Sequence, residues 1–371
     1  MAPVLKTGGP KGFAGSNPAR CAMILCEKQK EMRKTMNINE VLKRPEYRFF
    51  EDEVFTTHPI MFLTFGGSIA YGTNTPASDI DIRGCALASK SDLLGMTSFD
   101  HFLDEATDTT VYASRTLINL LAACNPNTIE MLGCKEDTYT RVSPAGKLLL
   151  ENKKLFLSQR AIDSFGGYAY QQFNRLQNAV AHDRLSQNEQ EEHLLHACER
   201  AIDHMNGTYT ELPEGSIRLY TDQSEKTGRD LEIFADISLK HYPLRDFSGI
   251  YNELQTLTRS FAKLNNRNKK KDISHLAKHM MHLMRLYLML DDILARQEIA
   301  TYREKEHDFL MDIRNGKYMT EDGLVRQEFY DMLEAQKTKC DQDAKNTDLP
   351  LTPDAGKLNE LSMSIHELAL Q

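Results

Sequence analysis

The chain has 371 residues, of which 41% are hydrophobic and 26% are charged. This composition excludes disordered and collagen-like proteins and is typical of a globular protein with two or three domains. Its 45 basic and 53 acidic residues give a net charge of −8. Such a balance argues against a protein that coats nucleic acid non-specifically, although it allows a local basic patch.

The seven cysteines are widely spaced, and none forms a Cys-x-x-Cys motif. A disulfide framework or a zinc ribbon uses closely spaced cysteine pairs, so we expect reduced thiols. No apolar run approaches the roughly 18 residues of a membrane-spanning helix. The apolar patch at 21–26 is too short for a signal peptide. The sequence therefore predicts a cytoplasmic protein with no membrane partner.

Short helices and strands are predicted in the first part of the chain. Residues 37–42 have the form of a capped helix. The continuous apolar run at 59–65 favours a buried strand, and further strands are predicted at 80–87 and 107–112. A helical pattern then covers 114–124 and stops at a proline. Together these segments predict a small mixed sheet with helices.

From about residue 145 the pattern becomes mostly helical. Apolar residues recur at spacings of three and four in the segments 148–157, 162–176, 191–204 and 276–296. A hairpin or loop insertion is expected at 216–235, and a last helix at 358–370. The sequence thus predicts an α+β fold, with a small mixed β-sheet domain before a mostly helical C-terminal domain. The expected divisions are an N-terminal extension at 1–50, the sheet domain at 51–140, the helical domain at 141–335, and a polar linker with a C-terminal helix at 336–371.

The segment between the first two strands carries the clearest chemistry. Gly66 and Gly67 follow a buried strand, where glycines let the backbone turn sharply and approach a ligand. Ser68 begins the next turn, where unpaired N–H groups favour a phosphate. Asp79 and Asp81 are two apart on a predicted strand, so their carboxylates share a face. Such a pair attracts a cation, and hard oxygen ligands select Mg²⁺ or Mn²⁺, which substrate phosphates complete.

Each part of this segment is common alone, but the joint pattern has few structural reasons to exist. Gly67-Ser68 followed by Asp79-Ile-Asp81 resembles the signature of the DNA polymerase beta-type nucleotidyltransferase superfamily. The longer form, Gly-Ser-x-Ala-Tyr-Gly through Ser-Asp-Ile-Asp-Ile-Arg-Gly, is similar to the subfamily of predicted nucleotidyltransferases associated with RNA-repair pathways. Less specific matches to that subfamily lie at 125–132, 156–169, 278–286 and 313–316.

The resemblance implies transfer of a nucleoside monophosphate from an NTP, such as ATP, to an acceptor hydroxyl with release of pyrophosphate. Asp79 and Asp81 would be catalytic ligands of Mg²⁺ or Mn²⁺. The superfamily adds a third carboxylate from a neighbouring strand, for which Asp108 is the candidate and Asp104 and Glu105 are rivals. The nucleotide-binding residues would be Gly67, Ser68, Tyr71, Ser78, His279, His282 and Arg285.

The acceptor stays open at this point. The superfamily contains enzymes that modify RNA ends, proteins or small molecules, and the net charge of −8 argues mildly against a broad nucleic-acid surface. A third hypothesis is a nucleotide-binding regulator with a decayed site. Its support is Ile69, which stands where the subfamily often carries Arg.

Three histidines have more than one interpretation. His275, His279 and His282 fall on one side of a predicted helix, with Asp272 close in sequence. Partly buried, hydrogen-bonded histidines are favoured over a zinc site, because an apolar stripe surrounds them. The resemblance adds a third option, in which His279, His282 and Arg285 face the nucleotide and Arg285 contacts a phosphate.

Other charged residues have a simpler interpretation. Arg83 shares the parity of the two acids, which favours a structural ion pair with one of them over a phosphate contact. Glu130 lies at the end of a capping-box pattern and is expected to cap its own helix. The basic run at 266–271 is expected to be a solvated loop, with a nucleic-acid contact as the alternative. Surface solvation is also the default for Arg160, Tyr168 and Arg175, and the alternative is that their helix borders the cleft.

Overall fold

The computed structural model describes residues 36–205, 208–267 and 273–370 of the chain. Asp272, the N-terminal apolar patch and most of the basic run lie outside these ranges. Within them, no helix combines the length and the apolar composition needed to cross a bilayer. The five cysteines that these ranges include are free thiols.

A mixed sheet of four strands forms the frame of the N-terminal part. Its strands are β1 (Ile60–Phe65), β2 (Ile82–Ala86), β3 (His101–Asp104) and β4 (Thr109–Ala113), in the spatial order β1-β2-β4-β3. The central strands β2 and β4 run parallel, whereas β1 and β3 are antiparallel to their neighbours. β1, β2 and β4 correspond to the three predicted strands. β2 begins only at Ile82, however, so Asp79 and Asp81 lie in the loop before this strand and not on it as predicted. The sequence did not indicate β3, because its residues alternate between exposed and half-buried positions without an apolar run.

The register of the sheet brings two of the predicted metal ligands, Asp81 and Asp108, together. Ile82 pairs with Thr109 in the parallel ladder, so Asp81 and Asp108 precede paired residues at the same edge. Phe65, at the end of β1, also pairs with Ile82. As a result, the loop after β1 reaches this edge too, where the Gly66 N–H donates to the Asp81 carbonyl oxygen at 2.8 Å.

Helices build the rest of the chain. Those in the N-terminal part are α1 (Ile38–Val41), α2 (Glu53–Thr57), α3 (Gly67–Tyr71), α4 (Lys90–Leu94), α5 (Ser114–Ala122), α6 (Pro126–Ile129) and α7 (Pro144–Glu151). Those in the C-terminal part are α8 (Arg160–Arg184), α9 (Gln187–Met205), α10 (Leu244–Arg267), α11 (Ile273–Asp291), α12 (His307–Arg314), α13 (Gln327–Asn346) and α14 (Ala355–Leu370). The expected hairpin is present as β5 (Ile217–Gln223) and β6 (Leu231–Ile237).

Both faces of the four-stranded sheet are buried. One face, with Leu63, Phe65 and Ile82, packs against apolar residues of the N-terminal segment, which are Ile38, Val41, Tyr47, Phe50 and Phe55. The other face, with Phe62 and Cys85, belongs to a larger core that includes α5, α8 and α11. A small mixed sheet followed by a helical C-terminal part confirms the predicted α+β fold class, while the domain boundaries stay predictions.

Gly84 lies in the middle of β2, where a side chain has no room. A Cβ atom there would lie 2.8 Å from the Phe62 carbonyl oxygen and would overlap the Leu63 side chain. We therefore expect Gly84→Ala to lower the free energy of unfolding by about 1–3 kcal/mol, as measured by urea denaturation.

Gly167→Ala is the matched control for this substitution. Nothing lies within 4 Å of a Cβ atom at Gly167, and alanine is favoured over glycine inside a helix such as α8. This control should be at least as stable as the wild type. A Gly84→Ala variant with wild-type stability would contradict the packing of β2 described above.

Candidate active site

A cavity of about 430 Å³ opens at the sheet edge that carries Asp81 and Asp108. Its volume is typical of small-molecule sites in proteins. Acidic residues at the sheet edge form one wall, cationic residues of α11 form a second, and one side of α8 forms a third. The cavity therefore combines carboxylates and cations, which is the charge pattern needed for a metal-bound polyanion.

The acidic wall consists of Asp79, Asp81 and Asp108. A hydrogen bond links Asp81 and Asp108 when one of the two carboxyl groups is protonated, since two ionised carboxylates offer no donor. Burial, followed by this hydrogen bond, raises the pKa of Asp81 to about 7. The same hydrogen bond, together with the Arg83 guanidinium, lowers the pKa of Asp108. Burial and the neighbouring carboxyl group thus both disfavour a second negative charge at Asp81.

Arg83 supports this wall from β2. Its Nη2 lies 3.0 Å from Asp108 Oδ1, and its Nη1 donates to the Asp108 carbonyl oxygen. The expected ion pair of Arg83 with Asp79 or Asp81 is therefore wrong, because its carboxylate partner among the described residues is Asp108. Asp108 has a left-handed φ of 45°, in the turn before β4, and these contacts with Arg83 hold it there.

The two rival carboxylates do not line the cavity. The Asp104 carboxylate accepts hydrogen bonds from the Thr107 N–H and hydroxyl at 2.9 and 2.7 Å, within its own turn. Glu105 is exposed. Among the three candidates for a third carboxylate, Asp108 alone lies beside Asp81.

Gly67 and Ser68 begin α3 directly beside the acidic wall. Gly67 has a left-handed φ of 52°, and a Cβ atom there would overlap the Asp81 carboxylate. Glycine is therefore required both by the backbone conformation and by the close approach of Asp81. Ser68 is buried and lines the cavity, so the loop after β1 reaches the site as the motif predicts.

The cationic wall lies on α11, where the cations Lys278 and Arg285 line the cavity together with the histidines His279 and His282. Their spacing of three and four residues places them along one side of the helix. His275 is exposed and does not line it. In the ranges given above, no three carboxylate, imidazole or thiol groups converge as a metal site, and Asp272 lies outside those ranges.

Arg285 is buried, with 7% of its surface exposed. Its guanidinium lies 3.4 Å from the centre of the Tyr71 ring, and its Nη2 is 3.8 Å from Glu130 Oε2. Its Nε and Nη1 atoms have no hydrogen-bond partner among the residues that the structure describes. A buried guanidinium with free donors is costly unless an anion binds it, so this residue marks an anion position in the cavity.

Glu130 corrects one sequence-based expectation. Asn125 caps α6 by accepting from the Asn127 N–H, and Glu130 lies past the other end of that helix. The Glu130 carboxylate instead lines the cavity beside Arg285. Burial raises its pKa, and the Arg285 charge opposes that increase. The capping-box pattern was misleading because the N-cap of the short helix is Asn125, two residues before the predicted Asn127.

Three residues of the signature segment face away from the cavity. Tyr71 is buried beneath Arg285, and burial raises its pKa. Ser78 accepts a hydrogen bond from the Thr75 N–H at 2.8 Å, and Arg314 Nη2 lies 3.0 Å from its hydroxyl. Ile69 packs in the core on the far side of the sheet. An Ile at this position therefore removes no charge from the cavity wall.

One side of α8 contributes residues that sequence reasoning treated as surface or did not weigh. Tyr168, Gln172 and Arg175 line the cavity. Their spacing at i, i+4 and i+7 was a visible signal, but only tertiary packing shows which side of a helix meets a site. Lys278 and Asn127 also line the cavity without having been singled out. Arg160 does not, and its Nη1 donates to the Ala122 carbonyl oxygen at 3.3 Å.

The donor set at the acidic wall fits a divalent cation that is shared with a substrate. Asp81 and Asp108 supply oxygen atoms, which Mg²⁺ prefers, and their mutual repulsion favours a cation between them. Mg²⁺ is usually bound by one or two carboxylates together with substrate phosphates. A site of this kind does not need three converging protein ligands.

His282 makes the free energy of unfolding depend on pH. Burial, followed by the charges of Arg285 and Lys278, holds its pKa well below the usual range. The unfolded chain binds a proton near pH 6.5 that the folded chain rejects, so stability falls as the pH drops below about 6.5.

We expect His282→Gln to reduce the loss of stability between pH 7 and pH 5.5, by up to about 1.4 kcal/mol per pH unit. Urea denaturation at the two pH values measures this difference. Identical pH dependence in the variant and the wild type would contradict the buried, cation-surrounded position of His282.

Comparison with known proteins tests the family resemblance of the chain. The model of the RNA repair pathway DNA polymerase beta family matches residues 38–364. No curated protein and no solved structure matches the chain significantly. The family match spans nearly all of the described residues and includes the acidic wall, α8 and α11. It confirms the resemblance seen in the signature segment. The chain belongs to the RNA repair pathway DNA polymerase beta family.

Proposed function

We propose that this chain is a Mg²⁺-dependent nucleotidyltransferase that moves a nucleoside monophosphate from an NTP to an acceptor hydroxyl and releases pyrophosphate. The observation that carries this proposal is one cavity with carboxylates on the sheet edge and cations on α11. Family membership supports a nucleotidyltransferase of the DNA polymerase beta type. Mn²⁺ is the alternative cation, because it accepts the same oxygen ligands.

Asp81 and Asp108 would hold the metal at the acidic wall together with substrate phosphates, and Asp79, which lines the same wall, is the further ligand that the family signature implies. When bound, Mg²⁺ lowers the pKa of the attacking hydroxyl and neutralises charge on the leaving pyrophosphate. The role of Arg83 is to fix Asp108 in the turn before β4 through its two contacts. The role of Gly67 is to leave room for the Asp81 carboxylate.

The triphosphate would lie between the acidic wall and the cationic wall of the cavity. Gly67 and Ser68 would contact it from α3, and Lys278, His279, His282 and Arg285 would contact it from α11. Arg285 is held flat against the Tyr71 ring and near Glu130. Its free Nε and Nη1 donors are therefore oriented before the substrate binds, which reduces the entropy lost on binding. Tyr71 and Glu130 act as positioning residues through Arg285, and Ser78 acts through the loop that carries Asp79.

The alternatives concern the acceptor and the activity itself. A protein or a small molecule would use the same cavity as an RNA end, so the acceptor is identified by which species receives the nucleotide. The hypothesis of a decayed regulator loses its support, because Ile69 lies in the core away from the cavity and the acidic residues are intact.

We expect the double variant Asp79→Ala, Asp81→Ala to lose nucleotide transfer because the metal would lose two ligands. The assay incubates the protein with Mg²⁺, each of the four NTPs labelled at the α-phosphate, and RNA, protein extract or a small hydroxyl compound. Thermal unfolding of the same preparations shows whether the fold is intact.

Asp104→Ala is the matched control, because it removes a carboxylate from the neighbouring strand β3 outside the cavity. It should retain transfer. The proposal is wrong if the double variant transfers as much label as the wild type, or if the wild type releases no pyrophosphate with any NTP and acceptor.

We expect Arg285→Lys to raise the KM for the NTP by roughly tenfold or more. Lysine keeps the charge but loses the planar guanidinium that stacks on Tyr71 and presents two parallel donors. Steady-state pyrophosphate release at varied NTP concentration measures the effect. An unchanged KM with normal thermal stability would show that Arg285 does not contact the nucleotide.

A further inference from the structure

A second charged depression lies on the N-terminal segment, away from the catalytic cavity. Its volume is about 590 Å³, and its lining includes Lys43, Arg44, Arg48 and Arg141. Glu51 is the one acidic residue among the described residues that line it. We call this depression the arginine groove. Its positive charge contrasts with the net charge of −8 for the whole chain.

The arginines of the arginine groove are not used by the fold as ion pairs. Lys43 Nζ lies 2.7 Å from Glu40 Oε1 and is paired. Over the described ranges, Arg44, Arg48 and Arg141 have no carboxylate partner within salt-bridge distance. Arg141 is exposed, has a left-handed φ of 52°, and lies with its guanidinium 5.2 Å from the centre of the Phe50 ring. The groove therefore presents three solvent-exposed guanidinium groups that no carboxylate of the described residues neutralises.

The arginine groove adjoins the loop that carries the catalytic acids. Arg44 also lines a neighbouring depression together with Thr75, Ser78 and Ile80. Asp79 and Asp81 alternate with Ser78 and Ile80 along the chain and line the catalytic cavity on the other side of this loop. The groove, the neighbouring depression and the cavity thus follow one another across a single loop.

We propose that the arginine groove binds the sugar–phosphate backbone of a polynucleotide whose end enters the catalytic cavity as the acceptor. Guanidinium groups bind phosphates with two parallel hydrogen bonds. None of the described residues that line the groove is aromatic, so it contacts backbone and does not stack bases. The acceptor role rests on the proposed nucleotidyltransferase function, whereas backbone binding is testable without catalysis.

The test measures binding of fluorescently labelled single-stranded RNA and DNA to the full chain by anisotropy over a series of salt concentrations. The test variant is Arg48→Glu, Arg141→Glu. Loss of two phosphate contacts should weaken binding of the polynucleotide by about tenfold or more and lower the slope of log affinity against log salt by about 1.4. The milder variant Arg48→Gln, Arg141→Gln should show the same direction of change.

The matched control is Arg218→Glu, Arg245→Glu, which reverses two exposed arginines elsewhere, one of them also close to an aromatic ring. It should bind the polynucleotide as the wild type does. Equal binding of RNA and DNA supports a backbone contact, and binding of RNA alone supports a backbone contact that also involves the 2′-hydroxyl. The proposal is overturned if the wild type binds neither RNA nor DNA, or if both groove variants bind the polynucleotide as the control does. It is also overturned if polyglutamate displaces the polynucleotide at equal charge concentration, because that result would indicate an acidic protein partner.

Binding of Mg²⁺–NTP is measured on the same preparations. The groove variants should bind the nucleotide normally, because neither substituted residue lines the catalytic cavity. Absence of nucleotide binding in the wild type would refute the proposed function while leaving the polynucleotide result interpretable. Normal nucleotide binding with unchanged polynucleotide binding in the variants would refute the groove alone.

Discussion

The arrangement of the whole site depends on the repulsion between two neighbouring carboxylates. The parallel register of β2 and β4 places Asp81 and Asp108 side by side. Apolar packing on both faces of the sheet keeps the two strands in this register. Burial and proximity raise the pKa of Asp81 to about 7. Arg83 offsets part of this repulsion through its ion pair with Asp108. Lys278 and Arg285 of α11 line the same cavity and add further positive charge. A divalent cation would relieve the remainder.

The two walls depend on different parts of the fold. The acidic wall comes from a short stretch of sequence at one sheet edge, so the backbone hydrogen bonds of the sheet and the contacts of Arg83 with Asp108 fix its geometry. The cationic wall comes from α11, more than 150 residues later in the chain, and is held there by the apolar core that joins α8 and α11 to the sheet. Arg285 connects them, since its guanidinium lies on Tyr71 of the signature segment. Substrate specificity at this site therefore depends on core packing as well as on the motif.

The sequence predicted what local rules determine and missed what tertiary packing determines. Gly67 was identified by its turn, and Asp79 and Asp81 by the signature motif, because both depend on neighbours in the chain. The predicted reason for the shared orientation of the two acids was wrong, since both precede β2, which begins at Ile82. Gln172 was missed because nothing local shows which side of α8 faces the cavity. Glu130 was misassigned because its contact with Arg285 joins residues far apart in sequence. The strand β3 was missed because an exposed edge strand needs no apolar run.

The most direct test of the central claim is a structure of the chain with Mg²⁺ and an NTP analogue that cannot be cleaved between the α- and β-phosphates. The account predicts the metal against the carboxylates of Asp81 and Asp108, and the triphosphate between that metal and Arg285. A nucleotide bound outside this cavity, or a triphosphate that contacts neither Arg285 nor a metal at the acidic wall, would contradict it.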